Sequence, residues 1–454
     1  MDAAEHRRAL VGLAYPVYFE LLAGVTAGII NMVWVARLGA DAVAAVAVAT
    51  NVENLLLGVI LVAGSGTTVL VARARGARDP AALRSAVRGG WVLWAVVTTV
   101  VATGGFLCRE PLARLVLPEG DSLDLAVGYF AVALPGIAVF FATNVVDGIL
   151  KGAGDTRTPM RLAVLANGLI LVLDPLFIIG LDLGVRGAAC VTVLGRTVAL
   201  ACGLLALRRN AALRHAAQQA PAHAAGPLRM RTLRADARRT LATGLPMSVD
   251  FVVRMTGTLA LVAAVARIGV DEVAGYGIAT KATYLATMAF YAVRQAAAIR
   301  TAHLLGAGHD ARRGVGRQAL FLAGALGLVA ALTLLAAAPW IMRAFGATGA
   351  VADAGALYLR CLGPYLLLLA CFIALGGVFE GSGASPALVR ITVCGVALQL
   401  ALAYALSGWG LPGVCLAMAL PMALQCAAVA RLHRAARPIP APVRPRRAGS
   451  PRSA

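Results

Sequence analysis

The sequence VARLGADAVAAVAVAT, residues 35–50, decides the fold, because it returns 230 residues later as VARIGVDEVAGYGIAT, residues 265–280. Nine of the sixteen positions are identical. The same offset relates Pro16 to Pro246 and Gly76 to Gly306. A repeat of about 225 to 230 residues is too long for a solenoid unit and has the size of a domain. The chain therefore consists of two copies of one structural unit.

Composition places both units in a lipid bilayer. Hydrophobic residues make up 60% of the 454 residues and charged residues only 14%, which leaves too little polar surface for a soluble body of this size. These proportions, with the long apolar runs, predict an all-α integral membrane protein of about 12 transmembrane helices, six per repeat. The runs lie at about 10–35, 44–72, 89–107, 125–149, 162–181, 188–207, 241–266, 273–302, 318–338, 361–379, 389–407 and 413–430.

The repeats predict the topology. An even number of spans per repeat gives both repeats the same orientation, so we expect two parallel six-helix lobes. The predicted domains are an N-lobe at 1–207, a basic cytoplasmic linker at 208–240, a C-lobe at 241–432 and a Pro/Arg-rich cytoplasmic tail at 433–454. With the N-terminus in the cytoplasm, about 29 of the 41 Lys and Arg lie on the inner face. This distribution favours a plasma (inner) membrane protein whose basic segments face anionic lipid rather than nucleic acid.

Asp174 is the strongest candidate for a functional charge within a span. An ionisable side chain there costs about 2.5 to 3.5 kcal/mol and calls for a partner or a function. Pro175 removes a backbone hydrogen bond and disfavours helical geometry at Asp174. A carboxylate beside a broken helix is a common design of ion sites in transporters. Asn167 lies on the same helix face, and the alternative is that Asp174 only caps backbone amides freed at the kink.

Glu20 is the second acidic candidate. It lies one turn after Pro16, near the middle of the first span, and Asn31 follows eleven residues later on about the same face. This face could carry a protonatable group and a polar ladder. Alternatively, Glu20 is kept neutral by burial or capped by a neighbouring helix, and the sequence favours neither interpretation.

The second repeat is mostly basic within its spans. Asp250 matches Glu20, but Arg254 follows it at i+4, so we favour an ion pair on one helix face. Lys281 and Arg294 either bind an anionic group of a substrate or pair with acidic residues across the lobe. Asp250, Arg254, Lys281 and Arg294 are therefore the candidates for a substrate cavity.

A second pair with i+4 spacing lies in the first repeat. Asp147 and Lys151 stand at the inner end of the fourth span, and this spacing predicts an ion pair between them.

Several function classes are excluded by missing motifs. GAGDTRTP, residues 152–159, lacks the Lys that a Walker loop places against phosphates. The sequence contains no G-x-S-x-G nucleophile motif and no intramembrane His cluster. We therefore expect no enzyme activity, no metal and no cofactor other than H⁺ or Na⁺ as a coupling ion.

The order of the motifs resembles the MATE (multidrug and toxic compound extrusion) family. The motifs are an early Pro in the first helix of each repeat, R-[LI]-G-x-D at its end, Gly-Ala after the second helix, LKGAGDTRTP and FEGSGASP after the fourth, and VLDPLFI in helix five. The last segment is similar to the DinF-like branch. The resemblance covers about residues 8 to 432. It implies two lobes in an inverted V around a central cavity, alternating access, and export of organic compounds against inward flow of protons or sodium.

The resemblance also suggests roles for individual residues. Asp174 matches the helix-five carboxylate of the N-lobe proton site of DinF-like members, and Asn167 matches a nearby family Asn. The acidic residue usual near the end of helix one aligns with Asn31, and an acidic C-lobe position of the NorM-like branch aligns with Arg254. The hypothesis is that Asp174 titrates and that Glu20 replaces the missing helix-one Asp.

The leading prediction is thus an antiporter that exports cationic or amphipathic drug-like compounds, with proton coupling preferred over sodium and the monomer as the expected state. The rival is a flippase for a lipid-linked precursor, since such proteins share the fold and the basic C-lobe residues suit a phosphate headgroup. An uncoupled transporter or receptor is a further alternative, given Asn31 in place of an acid.

Overall fold

The described residues of the first half of the chain fold into six long helices and two short ones. The computed structural model describes residues 3–114, 117, 119–218 and 230–435, among which no strand occurs. A π-helical turn at Leu176–Gly180 continues α6. The helices are α1 (Ala3–Ala36), α2 (Ala40–Ala77), α3 (Pro80–Leu107), α4 (Arg109–Arg114), α5 (Asp121–Gly152), α6 (Arg157–Pro175), α7 (Gly184–Arg209) and α8 (Ala211–Gln218).

The second half repeats this plan. A short helix follows the third long helix in both halves, α4 in the first and α12 in the second. The helices are α9 (Met230–Ala266), α10 (Val270–Gly306), α11 (Arg312–Ala344), α12 (Gly349–Cys361), α13 (Gly363–Ser382), α14 (Ser385–Leu406) and α15 (Gly410–Ala435). Each predicted span coincides with one long helix, which confirms the duplicated all-α architecture.

The long helices are suited to a membrane. Within the part of the chain that the structure describes, ten segments are long and apolar enough to cross one, with α14 and α15 counted as a single segment. Separating these two and adding the 37-residue α10 gives the twelve predicted helices. Large apolar side chains such as Val329 and Trp340 point outward and are 63% and 74% exposed. Outward-facing apolar surface is what a surrounding bilayer requires.

The first helix of each half crosses from one lobe to the other. We call α1 to α7 the N-lobe and α9 to α15 the C-lobe. Leu10 and Val17 of α1 are buried in the C-lobe core, whereas Val35 at the other end of α1 is buried in the N-lobe core. In α9, Ser248 donates a hydrogen bond of 2.5 Å to the carbonyl of Gly58 in the N-lobe, and Leu261 is buried in the C-lobe core. The first part of α1 therefore packs in the C-lobe, and the first part of α9, its equivalent in the second repeat, packs against the N-lobe.

The lobes meet closely at one end of the bundle, where α1 begins and α2 and α10 end, which we call the N-terminal face. A Cβ atom on Gly76 of α2 would lie 1.9 Å from the carbonyl oxygen of His303. A Cβ atom on Gly306 of α10 would lie 2.0 Å from the carbonyl oxygen of Arg73. Only glycine permits this approach of α2 to α10, which explains the Gly-Ala pair that both repeats carry.

An ion pair reinforces this face. Arg88 of α3 pairs with Asp236 at the start of α9, and Ser85 donates to the same carboxylate at 2.6 Å. Asp236 lies within the predicted linker 208–240, but α9 already begins at Met230. Residues 219–229 of that linker and 436–454 of the predicted tail lie outside the described residues. The domain limits at 207, 240 and 432 stay predictions.

Candidate functional site

Asp174 stands where α6 loses its regular hydrogen bonding. Pro175 lacks a backbone N–H, and the five residues that follow it form the π-helical turn. The side chain of Asp174 is completely buried in the N-lobe. The predicted combination of a carboxylate and an interrupted helix is therefore present.

Asn31 of α1 is the hydrogen-bond donor to Asp174. The distance from Asn31 Nδ2 to Asp174 Oδ2 is 2.9 Å. Asp174 Oδ1 is buried and has no hydrogen-bond partner, and none of the ion pairs in the described part of the chain includes Asp174. This carboxyl group can gain or lose a proton without breaking an ion pair.

The structure separates the other two N-lobe candidates from this pair. Asn167 donates to the carbonyl of Ala163 on its own helix at 2.8 Å. Glu20 accepts from the ammonium group of Lys151 at 2.7 Å, and the two side chains are 13% and 10% exposed. The expected polar ladder from Glu20 to Asn31 is not formed, because each residue has a different partner. Lys151 also bonds to Glu20 instead of to Asp147, the partner that its i+4 spacing suggests.

A small cavity inside the N-lobe contains polar groups that the sequence did not single out. Glu53 of α2 accepts a hydrogen bond of 3.1 Å from the hydroxyl of Tyr129. Glu53, Tyr129 and Arg196 line the cavity, whose volume is about 30 Å³. The guanidinium of Arg196 stacks on Phe140 at 3.9 Å from the ring centroid. This volume holds one or two water molecules but no organic substrate.

Glu53 and Arg196 could have been found from sequence. Both are ionisable residues inside predicted spans, at 44–72 and 188–207, and the insertion cost that singled out Asp174 applies to them equally. The N-lobe interior therefore contains two carboxyl groups, Asp174 and Glu53, and Glu53 accepts a hydrogen bond from the phenol of Tyr129.

The C-lobe contains a network of four charged side chains. Asp250 is 1% exposed and pairs with Arg254, as its spacing predicted, and also with Arg294 at 2.7 Å. Thr392 donates to the same carboxylate at 2.6 Å. Arg294 in turn pairs with Glu380 at 2.6 Å. Two positive and two negative charges compensate one another, which buried charges require.

The charge networks of the two lobes are related by the internal repeat. Glu20 matches Asp250, and Lys151 in LKGAG matches Glu380 in FEGSG. A direct acid–lysine pair in the N-lobe thus becomes two acids bridged by Arg294 in the C-lobe. Glu380 was missed because it stands one residue beyond the predicted span 361–379.

Lys281 does not belong to this network. Its side chain is exposed on α10, whereas Arg300 of the same helix pairs with Glu5 at 3.1 Å. Of the four predicted substrate-cavity residues, the structure therefore brings Asp250, Arg254 and Arg294 together. Among residues 3–114, 117, 119–218 and 230–435, no group of three or more His, Cys, Asp or Glu could hold a metal ion.

Comparison with known families and proteins identifies similar chains. The MatE family model matches residues 16–176 and 246–405, one match per repeat. A probable multidrug resistance protein NorM of Thermotoga maritima is 25% identical over 393 residues, which are 84% of this chain and 81% of the relative. A probable multidrug resistance protein YpnP of Bacillus subtilis is 25% identical over 306 residues, 67% of this chain, and the match spans only 66% of that relative.

A solved structure has the same fold. It is the outward-facing conformation of a multidrug resistance MATE family transporter of the MOP superfamily, with a TM-score of 0.86 and 23% sequence identity. The match covers 95% of both chains. At this identity the likeness establishes the two-lobe architecture only.

Proposed function

Because this chain belongs to the MatE family, whose members are transporters and not enzymes, we propose that it exports organic compounds through alternating access driven by proton antiport. Asp174 is the proposed coupling group. It takes up a proton when the N-lobe is accessible from one side and releases it when the N-lobe is accessible from the other, and the two protonation states favour different arrangements of the lobes.

The observation that carries this proposal is the contrast between Asp174 and three ion-paired carboxylates inside the helix bundle, Glu20, Asp250 and Glu380. Glu20, Asp250 and Glu380 each pair with a cationic side chain at 2.7 Å or less. Protonation of any of them would break a buried ion pair, which is strongly unfavourable. Among the residues that the structure describes, Asp174 has only the Asn31 amide as a hydrogen-bond partner. Asp174 therefore differs from Glu20, Asp250 and Glu380, because its protonation would break no ion pair.

The geometry favours a proton over sodium as the coupling ion. A sodium ion at Asp174 would need several further oxygen ligands. The neighbouring polar group, Asn31, instead directs an N–H donor at the carboxylate. The N-lobe cavity beside Tyr129, of about 30 Å³, has room for water that could pass a proton but none for a drug-sized molecule.

Organic, cationic or amphipathic compounds are the proposed substrates. The relatives NorM and YpnP are named as probable multidrug resistance proteins, and a duplicated two-lobe fold offers a cleft between its lobes for such molecules. The flippase alternative relies on free C-lobe cations for a phosphate. Since Arg254 and Arg294 are already paired with Asp250 and Glu380, the charge network favours the exporter.

The proposed location is the plasma (inner) membrane, with both termini in the cytoplasm and the N-terminal face inward. The distribution of Lys and Arg supports this orientation. Anionic lipids on the cytoplasmic side, a monomeric state and no association with nucleic acid belong to the same proposal.

Extrusion of a cationic dye from cells tests the function. We expect extrusion to stop when the proton gradient is collapsed, to persist when the sodium gradient is collapsed, and to be lost in Asp174→Asn. The matched control is Asp182→Asn, the same substitution on an exposed residue with a positive φ of 54° that asparagine tolerates well. If Asp174→Asn extruded the dye at the rate of the control, the coupling site would have to lie at another residue.

A further inference from the structure

We propose that a cavity between the start of α11 and the end of α15 binds the phosphate headgroup of an anionic glycerophospholipid. The cavity opens at the N-terminal face and has a volume of about 370 Å³. This site is separate from the proposed coupling group and does not depend on the transport cycle. Its lining consists of Arg313, Arg317, Leu320, His433 and Arg434.

The lining is strongly cationic. Arg313 and Arg317 lie one turn apart on the same face of α11, and Arg434 belongs to the last turn of α15. Arg313 donates to the carbonyl oxygen of Arg434 at 3.0 Å, which ties the two helix ends together. None of the ion pairs among the described residues contains these three arginines. Asp310, just before α11, is bonded to Arg312.

These groups have the chemistry that recognises phosphate. A guanidinium offers a planar set of N–H donors that fits two phosphate oxygens at once. The positive end of the α11 dipole adds to the field, because the first turn of this 33-residue helix begins at Arg312. Three guanidinium groups that form no ion pair with the described residues surround one cavity, and they therefore favour an anion that more than one of them can contact.

The end of α15 packs closely against α11 at Gly316 and forms one wall of this cavity. A Cβ atom on Gly316 would lie 2.7 Å from Nε2 of His433. Glycine at this position lets the imidazole ring pack directly on α11. The wall that His433 forms is thus part of the packing of the two helices and not a loose side chain on the surface.

An apolar surface on α11 continues from the cavity towards the membrane interior. Phe321 and Leu328 lie within about 40° of Arg317 in projection and about 6 and 16 Å further along the helix axis. These two side chains are 58% and 51% exposed. This length matches about half of the hydrocarbon thickness, the depth of one leaflet. Arg7 of α1 lies over the Phe321 ring, 5.9 Å from its centroid, and adds a cation at the boundary.

Cations followed by an apolar surface fit a lipid better than a free anion. The phosphate would contact Arg313, Arg317 and Arg434, while an acyl chain lies on Phe321 and Leu328. Inorganic phosphate would find the same cations without the apolar contact. Lipid and free phosphate share the headgroup chemistry, and the apolar surface distinguishes them.

The test is a binding titration of the full chain purified in detergent, with short-chain phosphatidylglycerol, short-chain phosphatidylcholine and inorganic phosphate as probes. We expect saturable binding of phosphatidylglycerol and much weaker binding of the other two. The double variant Arg313→Gln with Arg317→Gln should weaken phosphatidylglycerol binding about 30-fold, because each substitution removes the binding free energy that about one surface cation contributes. The matched control changes Arg208 and Arg209 to Gln, an exposed pair at the end of α7, and should bind like the unchanged protein.

A second variant isolates the apolar contact. Phe321→Ala should weaken phosphatidylglycerol binding and leave phosphate binding unchanged, and it retains every cation of the cavity. Three results overturn the proposal: no phosphatidylglycerol binding by the unchanged protein, equal losses in the two double variants, or phosphate binding as tight as that of phosphatidylglycerol. The last result would indicate a site for a free anion.

Discussion

Asn31 Nδ2 lies 2.9 Å from Asp174 Oδ2, and this hydrogen bond joins the end of α1 to the interruption after α6. Within the described residues it is the single polar contact that Asp174 makes with another side chain. Movement of α1 relative to α6 would therefore change the surroundings of the carboxyl group directly.

The first prediction concerns Asn31. Asn31→Ala removes the donor and leaves both oxygens of a buried carboxyl group without a partner, which costs about 1 to 3 kcal/mol for a neutral group and more when the group is charged. We expect a lower thermal unfolding temperature and slower dye extrusion. Thr26→Ala is the control, because Thr26 is exposed on α1 and bonds only to the carbonyl of Leu22. Unchanged extrusion in Asn31→Ala would show that this hydrogen bond has no part in coupling.

The second prediction separates a structural from a coupling role of Glu20. Lys151→Met leaves Glu20 buried and unpaired, so we expect a loss of about 3 to 5 kcal/mol of stability. Combining it with Glu20→Gln removes both charges and should restore most of that loss and much of the extrusion. A stable but inactive double variant would instead assign Glu20 to the coupling machinery, as the sequence hypothesis had it.

The third prediction concerns the central position of Arg294 in the C-lobe network. Arg294→Met leaves Glu380 without a cation and Asp250 with only Arg254. We expect a stability loss of about 3 to 5 kcal/mol, measured by thermal unfolding in detergent. Lys281→Met, on an exposed side chain of the same helix, should change stability by less than about 0.5 kcal/mol. Similar effects of both substitutions would argue against the network.

The fourth prediction assigns a role to Glu53. Glu53→Gln keeps the hydrogen bond with Tyr129 and removes the charge, so we expect correct folding and slower proton-driven extrusion. Tyr129→Phe keeps the charge and removes the hydrogen bond, and it should also slow extrusion because it leaves Glu53 without this donor. Glu119→Gln, an exposed residue between α4 and α5, is the control. Full activity of both N-lobe variants would limit Glu53 to a structural role.

The sequence was sufficient for the features that depend on local pattern. The repeat and the length of the apolar runs predicted all twelve long helices, and Pro175 predicted the break beside Asp174. The partner of Lys151 was not predictable, because Glu20 is 131 residues away and the choice between it and Asp147 depends on helix packing. The position of Asn31 beside Asp174, 143 residues apart, is likewise a result of tertiary structure.

Gly76 and Gly306 each lie against a backbone carbonyl group of the opposing helix, and this close packing has a thermodynamic consequence. A methyl group on either glycine would clash with the opposing helix, so under the proposed alternating-access cycle it would disfavour the state in which the lobes are joined at the N-terminal face. A compound that binds only the joined state would then find fewer competent molecules, and its apparent dissociation constant would rise in inverse proportion to the remaining fraction. Under the proposed alternating-access cycle, the absence of a side chain at these two glycines would therefore favour the state in which the lobes are joined at the N-terminal face.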